Sequence, residues 1–447
     1  MSFEHMCVFD WRYGSLEMRD LFKAENIVKT YIRVEQALLK GLEEAGLAPR
    51  GCSELASSCM NSVTARDVYE MEKVLGHDIA SLVFKLEEVC GECGRFIHLG
   101  ATSYDVVDTA WALILRDALK ILKIKLRNVI STLIDLSRRY VDVVVVGRTH
   151  GQHAVPVTMG FKFANYAYEL ARSYERISEA EKRVLRLKIS GSVGTMASWG
   201  DRGFVIERTM EKELGLQAHL ITTQVAPRDG FAELASVLAI LASQLDRLAL
   251  EIRELSRSEI GEVYESMQRV GSSTMPHKRN PVIAERISGL AKIARGFVTP
   301  ALENIPLMHE RDLTNSSSER VLLPHLFLLI DQMLMDTIKL LNVVKVDEEA
   351  ARRNLELSRG AIYSELLLTK LIEKGWSRRK AYFKVREVVE SIKPGETLID
   401  SVLRDPELSS MFNREELIEF LNPNYATRSV RGIVERTLRY VEELLNR

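Results

Sequence analysis

Between two helical stretches lies "GSSTMPHKRNP", Gly271 to Pro281, which gathers two adjacent serine hydroxyls, an imidazole, an ammonium, a guanidinium and a carboxamide. A turn between helices needs only a glycine and a few polar residues. A serine hydroxyl such as Ser272 or Ser273 can take a proton only when loop closure and nearby cations favour its ionised form. Lys278, Arg279 and Asn280 offer donors suited to carboxylate oxygens. Asn280 fits an N-cap, and Pro281 fits the first position of the helix that follows. The loop therefore runs into a helix N-terminus, where free amides and the dipole favour an anion.

Three other stretches carry similar groups. "GATSYDVVDTA" puts Thr102 and Ser103 at the start of a long helix, a place for simple capping or for a bound carboxylate. "GRTHGQHAVP" sets Thr149, His150 and His153 among glycines just before another helix, so a ligand can approach the imidazoles. Two histidines three apart with no third ligand nearby do not make a metal centre, and no metal is expected. "HERDLTNSSSER" offers Arg311, Arg320 and the serines Ser316 and Ser317 ahead of a helix, a combination suited to phosphate. "SGSVGT" from Ser190 has no following G-K-[ST] and reads as a turn; no cofactor motif is present.

Composition narrows the class of partner. Hydrophobic residues make up 46% and charged ones 28% of 447 residues, with a formal net charge of −1. No overall basic field invites nucleic acid or an anionic membrane, so the cations must act locally on a small molecule. No apolar run approaches the roughly 18 residues of a spanning helix, and the start lacks a basic segment followed by an apolar core. A cytoplasmic protein is expected. The five cysteines fall at Cys7, Cys52, Cys59, Cys90 and Cys93. They read as ordinary thiols, with bridges such as Cys90–Cys93 or Cys52–Cys59 as the alternative, which a heat-adapted, amide-poor protein would tolerate.

Long helices must position these groups. Neither Gly nor Pro occurs from Ala101 to Val146, and Val106, Ala110, Leu113, Ile114 and Leu119 recur at helical spacing. Leu234, Leu238, Leu241, Leu245, Leu248 and Ile252 form one stripe within the uninterrupted stretch Phe231 to Ile260. Further helices are expected over 157–189, 282–298 and 322–344, with "VDVVVVGRTH" the one short β-branched run. The expectation is an all-α protein: an N-terminal helical domain over 1–101, a long antiparallel bundle over 102–345, and a C-terminal helical domain over 346–447.

The loop at Gly271 is the signature of the fumarase/aspartase superfamily, and within it the chain resembles the adenylosuccinate lyases along essentially its whole length. "RYGS" at Arg12, "GHD" at Gly76 and "TTQ" at Thr222 join the stretches above in carrying that resemblance. It implies release of fumarate from a succinyl nucleotide without a cofactor. It implies also a homotetramer whose active sites draw on three subunits. Ser272 would be the base, His150 the acid at the leaving nitrogen, and His77 an assistant near the phosphate. Substrate contacts would come from Arg12, Tyr13, Asp78, Thr102, Ser103, Thr149, Gln224, Ser273, Lys278, Arg279, Asn280, Arg311, Ser316, Ser317 and Arg320. Gly76 departs from the family, which often has a polar residue there. Argininosuccinate lyases and fumarases typically have Gln or Gly in place of His277, and carboxymuconate cycloisomerases usually lack counterparts of His150 and "HERD". A non-catalytic helical relative would have no need of Ser272, His150 and Lys278 together.

Overall fold

The computed structural model describes residues 7–266, 275 and 277–446, so Ser272 and Ser273 lie outside the described residues. Four long helices dominate: α1 (Ser103–Arg139), α2 (Met159–Val184), α3 (Asp229–Leu255) and α4 (Thr314–Val343). At 1.5 Å per residue α1 alone is about 55 Å long. Every residue of the two apolar stripes read from the sequence, from Val106 to Leu119 and from Leu234 to Ile252, is buried. Strands among the described residues are confined to three two-stranded pieces, and the fold is all-α. α4 is long and apolar enough to cross a membrane, but 67% of its most apolar window is buried within the protein.

The chain forms two compact units. The first comprises Met1–Leu126, Ser173–Ser243 and Gly289–Met335. Its N-terminal helices are joined covalently, which corrects the reading of the cysteines as plain thiols. Cys52–Cys93 and Cys59–Cys90 bridge the helices Cys52–Met60 and Asp78–Gly94, and only Cys7 is free. Neither bridge is local. In the chain-entropy picture, closing loops with sequence separations of 41 and 31 contributes about 3–4 kcal/mol apiece before any overlap between them.

The second unit comprises Arg127–Arg172, Gln244–Ser288 and Asp336–Arg447. Here the expected helix over 157–189 begins only at Met159, because the segment before it is a hairpin of β1 (Val144–Thr149) and β2 (Gln152–Thr158). The β-branched residues Val144, Val145, Val155 and Val157 favour the pleated ladder. Gly147 sits where the register shifts, and a Cβ there would lie 2.3 Å from the Val155 carbonyl oxygen. The C-terminal helices from Ser364 onward enclose their own core of Leu367, Leu371, Val402, Leu408 and Leu417.

Candidate active site

The first unit brings predicted residues together in one cavity of about 390 Å³. Its wall contains His77 and Asp78 from the start of the Asp78–Gly94 helix, Ser103 from the start of α1, and Arg311, Ser316, Ser317 and Arg320 from the segment entering α4. His77 is the N-cap of its helix: its Nδ1 accepts the amide of Ala80 at 3.3 Å. A nitrogen that accepts carries no proton, so the neutral ring has its proton on Nε2. That Nε2 lies 3.4 Å from Ser103 Oγ. Asp78 accepts from Arg320 Nη2 at 2.5 Å and from its neighbour's amide, Ile79 N, at 2.8 Å. Gly76 has φ +69° at the end of the Ala65–Leu75 helix, a left-handed cap that favours glycine.

Arg311 is held for an anion. Its guanidinium lies 3.7 Å from the centre of the Tyr104 ring, and Nη1 donates to Gln224 Oε1 at 3.0 Å. Its Nε and Nη2 are buried with no hydrogen-bond partner among the described residues. Buried donors left unmatched are costly, so a ligand carrying acceptor oxygens suits them.

Two buried ion pairs hold the first turns of α1. Asp105, one turn into α1, accepts from the amides of Thr102, Ser190 and Gly191 and from Lys188 Nζ at 2.6 Å. Lys188 and Asp105 are fully enclosed. One turn further, Asp108 pairs with both terminal nitrogens of Arg228 at 2.8 and 3.0 Å, and Arg228 Nε lies 3.0 Å from Glu319 Oε1. Burial pushes the Glu319 carboxyl up to about 7, against the opposing pull of Arg228. Lys188, Asp108, Arg228 and Glu319 were absent from the sequence reading. Their partners lie up to 120 residues away in the chain, beyond any local pattern. Glu319 alone had a clue, standing inside "SSSER" beside Arg320.

The remaining predicted residues are placed elsewhere. Thr102 adjoins the cavity wall through Ser103 but does not line it, and Arg12 and Tyr13 lie outside it, the Arg12 guanidinium 5.8 Å from the Tyr13 ring centre. Thr149 and His150 belong to the second unit, where they are exposed at the hairpin tip. His150 at φ +54° and Gly151 at φ +71° form the tight turn that matches the twist of two antiparallel strands. So His150 stands on a hairpin and not ahead of a helix as expected. Two residues back, Arg148 grips the buried Glu262 with two hydrogen bonds of 3.0 and 2.6 Å, and Asn354 also donates to Glu262. Burial, then the Arg148 charge, lowers the pKa of His153.

Lys278 and Arg279 are exposed in the second unit. The helix after them starts at Val282, and its first amides, Ile283 N and Ala284 N, donate to Glu265. The anion expected at that N-terminus is thus supplied by the protein itself. Among the described residues no group of three or more metal-ligating side chains occurs.

The sequence matches the lyase family over residues 15–296 and the C-terminal domain of adenylosuccinate lyase over 360–437. It is 44% identical to the adenylosuccinate lyase of Pyrococcus abyssi over 443 residues, 98% of each chain. It is 43% identical to the adenylosuccinate lyase of Methanothermobacter thermautotrophicus, covering 96% of this chain and 97% of the other. Among solved structures, a fumarate lyase from Mesorhizobium sp. BNC1 superposes with a TM-score of 0.88 at 28% identity, covering 97% of this chain and 99% of the other. The 3-carboxy-cis,cis-muconate lactonizing enzyme of Pseudomonas putida superposes equally well at 29% identity, covering 98% and 99%.

Proposed function

The chain belongs to the adenylosuccinate lyase family, and on that premise we propose how its residues carry out fumarate-releasing cleavage of a carbon–nitrogen bond. The reaction is the elimination of fumarate from adenylosuccinate to give AMP. The observation that carries the reading is the meeting of His77, Asp78, Ser103, Arg311, Ser316, Ser317 and Arg320 around one cavity. Arg311, with two unmatched buried nitrogens, and the serines at the head of α4 suit a phosphate. His77 Nε2–H and Ser103 offer neutral donors beside it.

Cleavage removes a proton beside a carboxylate, and charge gathers on the oxygens of an aci-carboxylate. Each fixed donor aimed at those oxygens is worth about 3–4 kcal/mol. Lys278, Asn280, Thr102 and Ser103 are assigned that work, Ser272 the base, and His150 the proton for the leaving nitrogen. Arg12, Tyr13, Thr149, Gln224, Ser273 and Arg279 complete the proposed substrate contacts. His150 and Lys278 belong to the second unit, the cavity to the first. The same reading includes a homotetramer whose active sites draw on three subunits. The succinylated aminoimidazole carboxamide ribotide is a second proposed substrate, since it presents the same succinyl–nitrogen bond. The three-domain division at 101 and 345 and a cytoplasmic location belong to the same reading.

Mixing inactive His150→Ala protein with inactive Ser272→Ala protein tests the shared site. Each single variant should lose at least about 10²-fold in turnover. After verified subunit exchange, part of the activity should return, because some assemblies hold an intact site. No recovery would place all catalytic groups of a site in one chain.

A further inference from the structure

Beside the proposed active cavity lies a second, of about 680 Å³, which shares Tyr31, Asp78, Trp111 and Arg320 in its wall. Cys7 and His325 also line it, and none of the chemistry above uses them. Cys7 Sγ stands 3.8 Å from His325 Nε2. On the other side of the ring, Nδ1 lies 2.6 Å from the carbonyl oxygen of Val321. A carbonyl only accepts, so Nδ1 holds the proton of the neutral ring and Nε2 is a bare acceptor facing the thiol. Phe9 packs edge-on against the imidazole with ring centres 5.0 Å apart. A nucleophile, a base, and a third group that orients the base are the elements of an activated thiol.

Cations and carboxylates share its wall. Arg19 lines it and donates to the carbonyl oxygens of Tyr13 and Asp10 at 3.0 and 3.2 Å, and Lys23 and Arg320 line it together with Asp10, Glu72 and Asp78. The electrophile is at hand. Fumarate, the product released in the family's reaction, is an alkene activated by two carboxylates.

We propose that the Cys7–His325 pair is a covalent site for α,β-unsaturated dicarboxylates, where fumarate adds to Cys7 and obstructs the neighbouring cavity, making accumulated product a brake on the enzyme. The thiol proton passes to His325 Nε2 and the sulfur forms a bond to one alkene carbon. The π electrons move to the other carbon and its carboxylate, and that carbon takes a proton back from His325. The adduct contains all atoms of both partners, and no oxidant or reductant takes part. The other four cysteines are bridged and have no thiol to compete.

The test incubates the intact enzyme with excess fumarate, and in parallel with succinate, which has the same charges and no alkene. Peptide mass analysis should show one fumarate added at Cys7, none with succinate, and none in Cys7→Ser. Activity, assayed after fumarate is removed, should fall in step with the adducted fraction. In His325→Phe, addition should slow by about tenfold or more, the low side of what a positioned base contributes. Wild-type protein unfolded in denaturant supplies a control that needs no variant to fold, and its Cys7 should react more slowly than in the native enzyme. Absence of adduct, equal rates in folded and unfolded protein, or full activity at full modification would each overturn the proposal. So would a Cys7–Cys7 crosslink between chains as purified.

Discussion

The cavity around His77 and the turn that carries His150 hold their histidines by different means. His77 has a partner at each ring nitrogen, and its neighbour Ser103 opens α1, whose first turns carry Asp105 and Asp108 in ion pairs sealed from water. His150 is exposed at a hairpin tip, held by backbone conformation, with its polar anchor two residues back in Arg148, paired with Glu262. On the roles proposed above, the contrast is a division of labour. Recognising a charged substrate needs donors oriented in advance, and buried counter-charges supply that order. A proton donor presented from a tip needs only a rigid turn and a surface to meet.

The largest break in this comparison should come from Lys188→Met. It leaves the Asp105 carboxylate buried without its cation, a loss of about 3–5 kcal/mol. The loops at Thr102 and Ser190, both tied to Asp105, should loosen. Chemical denaturation measures the first effect, and amide exchange at Ser190 and Gly191 the second. Unchanged exchange there would mean that these loops do not depend on the pair.

These two regions were unequally legible in the sequence. α1, which carries Ser103, was plain, because Val106, Ala110, Leu113, Ile114 and Leu119 recur at helical spacing, and all of these are buried. The hairpin was not, although Val144 to Val146 and Val155 to Thr158 flank His150-Gly151 as strands flank a tight turn. Its strands are short, and a histidine at positive φ is an uncommon turn residue. The ion pairs were invisible for another reason: a charged residue in an apolar stretch reads as a solvated face until its partner is known. The disulfides had a signal that went unused. Cys52 and Cys59 are seven residues apart, two helical turns, so both face the same neighbour.

Reduction of those disulfides sharpens the comparison, since both lie in the unit that holds the cavity. A strong reductant should lower stability by about 3–4 kcal/mol or more. The loss should show as faster exchange in Cys52–Met60 and Asp78–Gly94, with the hairpin unaffected. Heat inactivation with and without reductant, beside thiol counting in denaturant, measures it.

Glu319 gives the same region a pH signature. Its carboxyl sits at about 7 in the folded protein against an ordinary 4.5, so the folded state holds the proton more tightly than the unfolded chain. The stability linked to that proton is complete below pH 4.5 and is lost as pH rises through about 7. Glu319→Gln cannot ionise, so its unfolding free energy should fall less than the wild type's across that window. Parallel curves for the two proteins would show that Glu319 ionises as an ordinary surface carboxylate does.

The smallest effect should come from the turn itself. Gly151→Ala places a Cβ at φ +71°, where glycine is at ease and alanine is not, at a cost of about 1 kcal/mol. No atom lies within 4 Å of that Cβ, so the cost is conformational and not steric. Gly151→Asn should therefore recover part of the loss, because asparagine tolerates the left-handed region, whereas Gly151→Val should be worse than alanine. At Gly147 no such grading is expected. A Cβ there meets the Val155 carbonyl oxygen at 2.3 Å, and every side chain should disrupt the bulge alike. Denaturation midpoints for the three Gly151 variants, beside the same three substitutions at Gly147, separate a turn that needs a backbone conformation from a bulge that needs an absent side chain. If Asn at 151 is no better than Val, the tip is held by something other than its dihedral angles, and the contrast with His77 loses its basis.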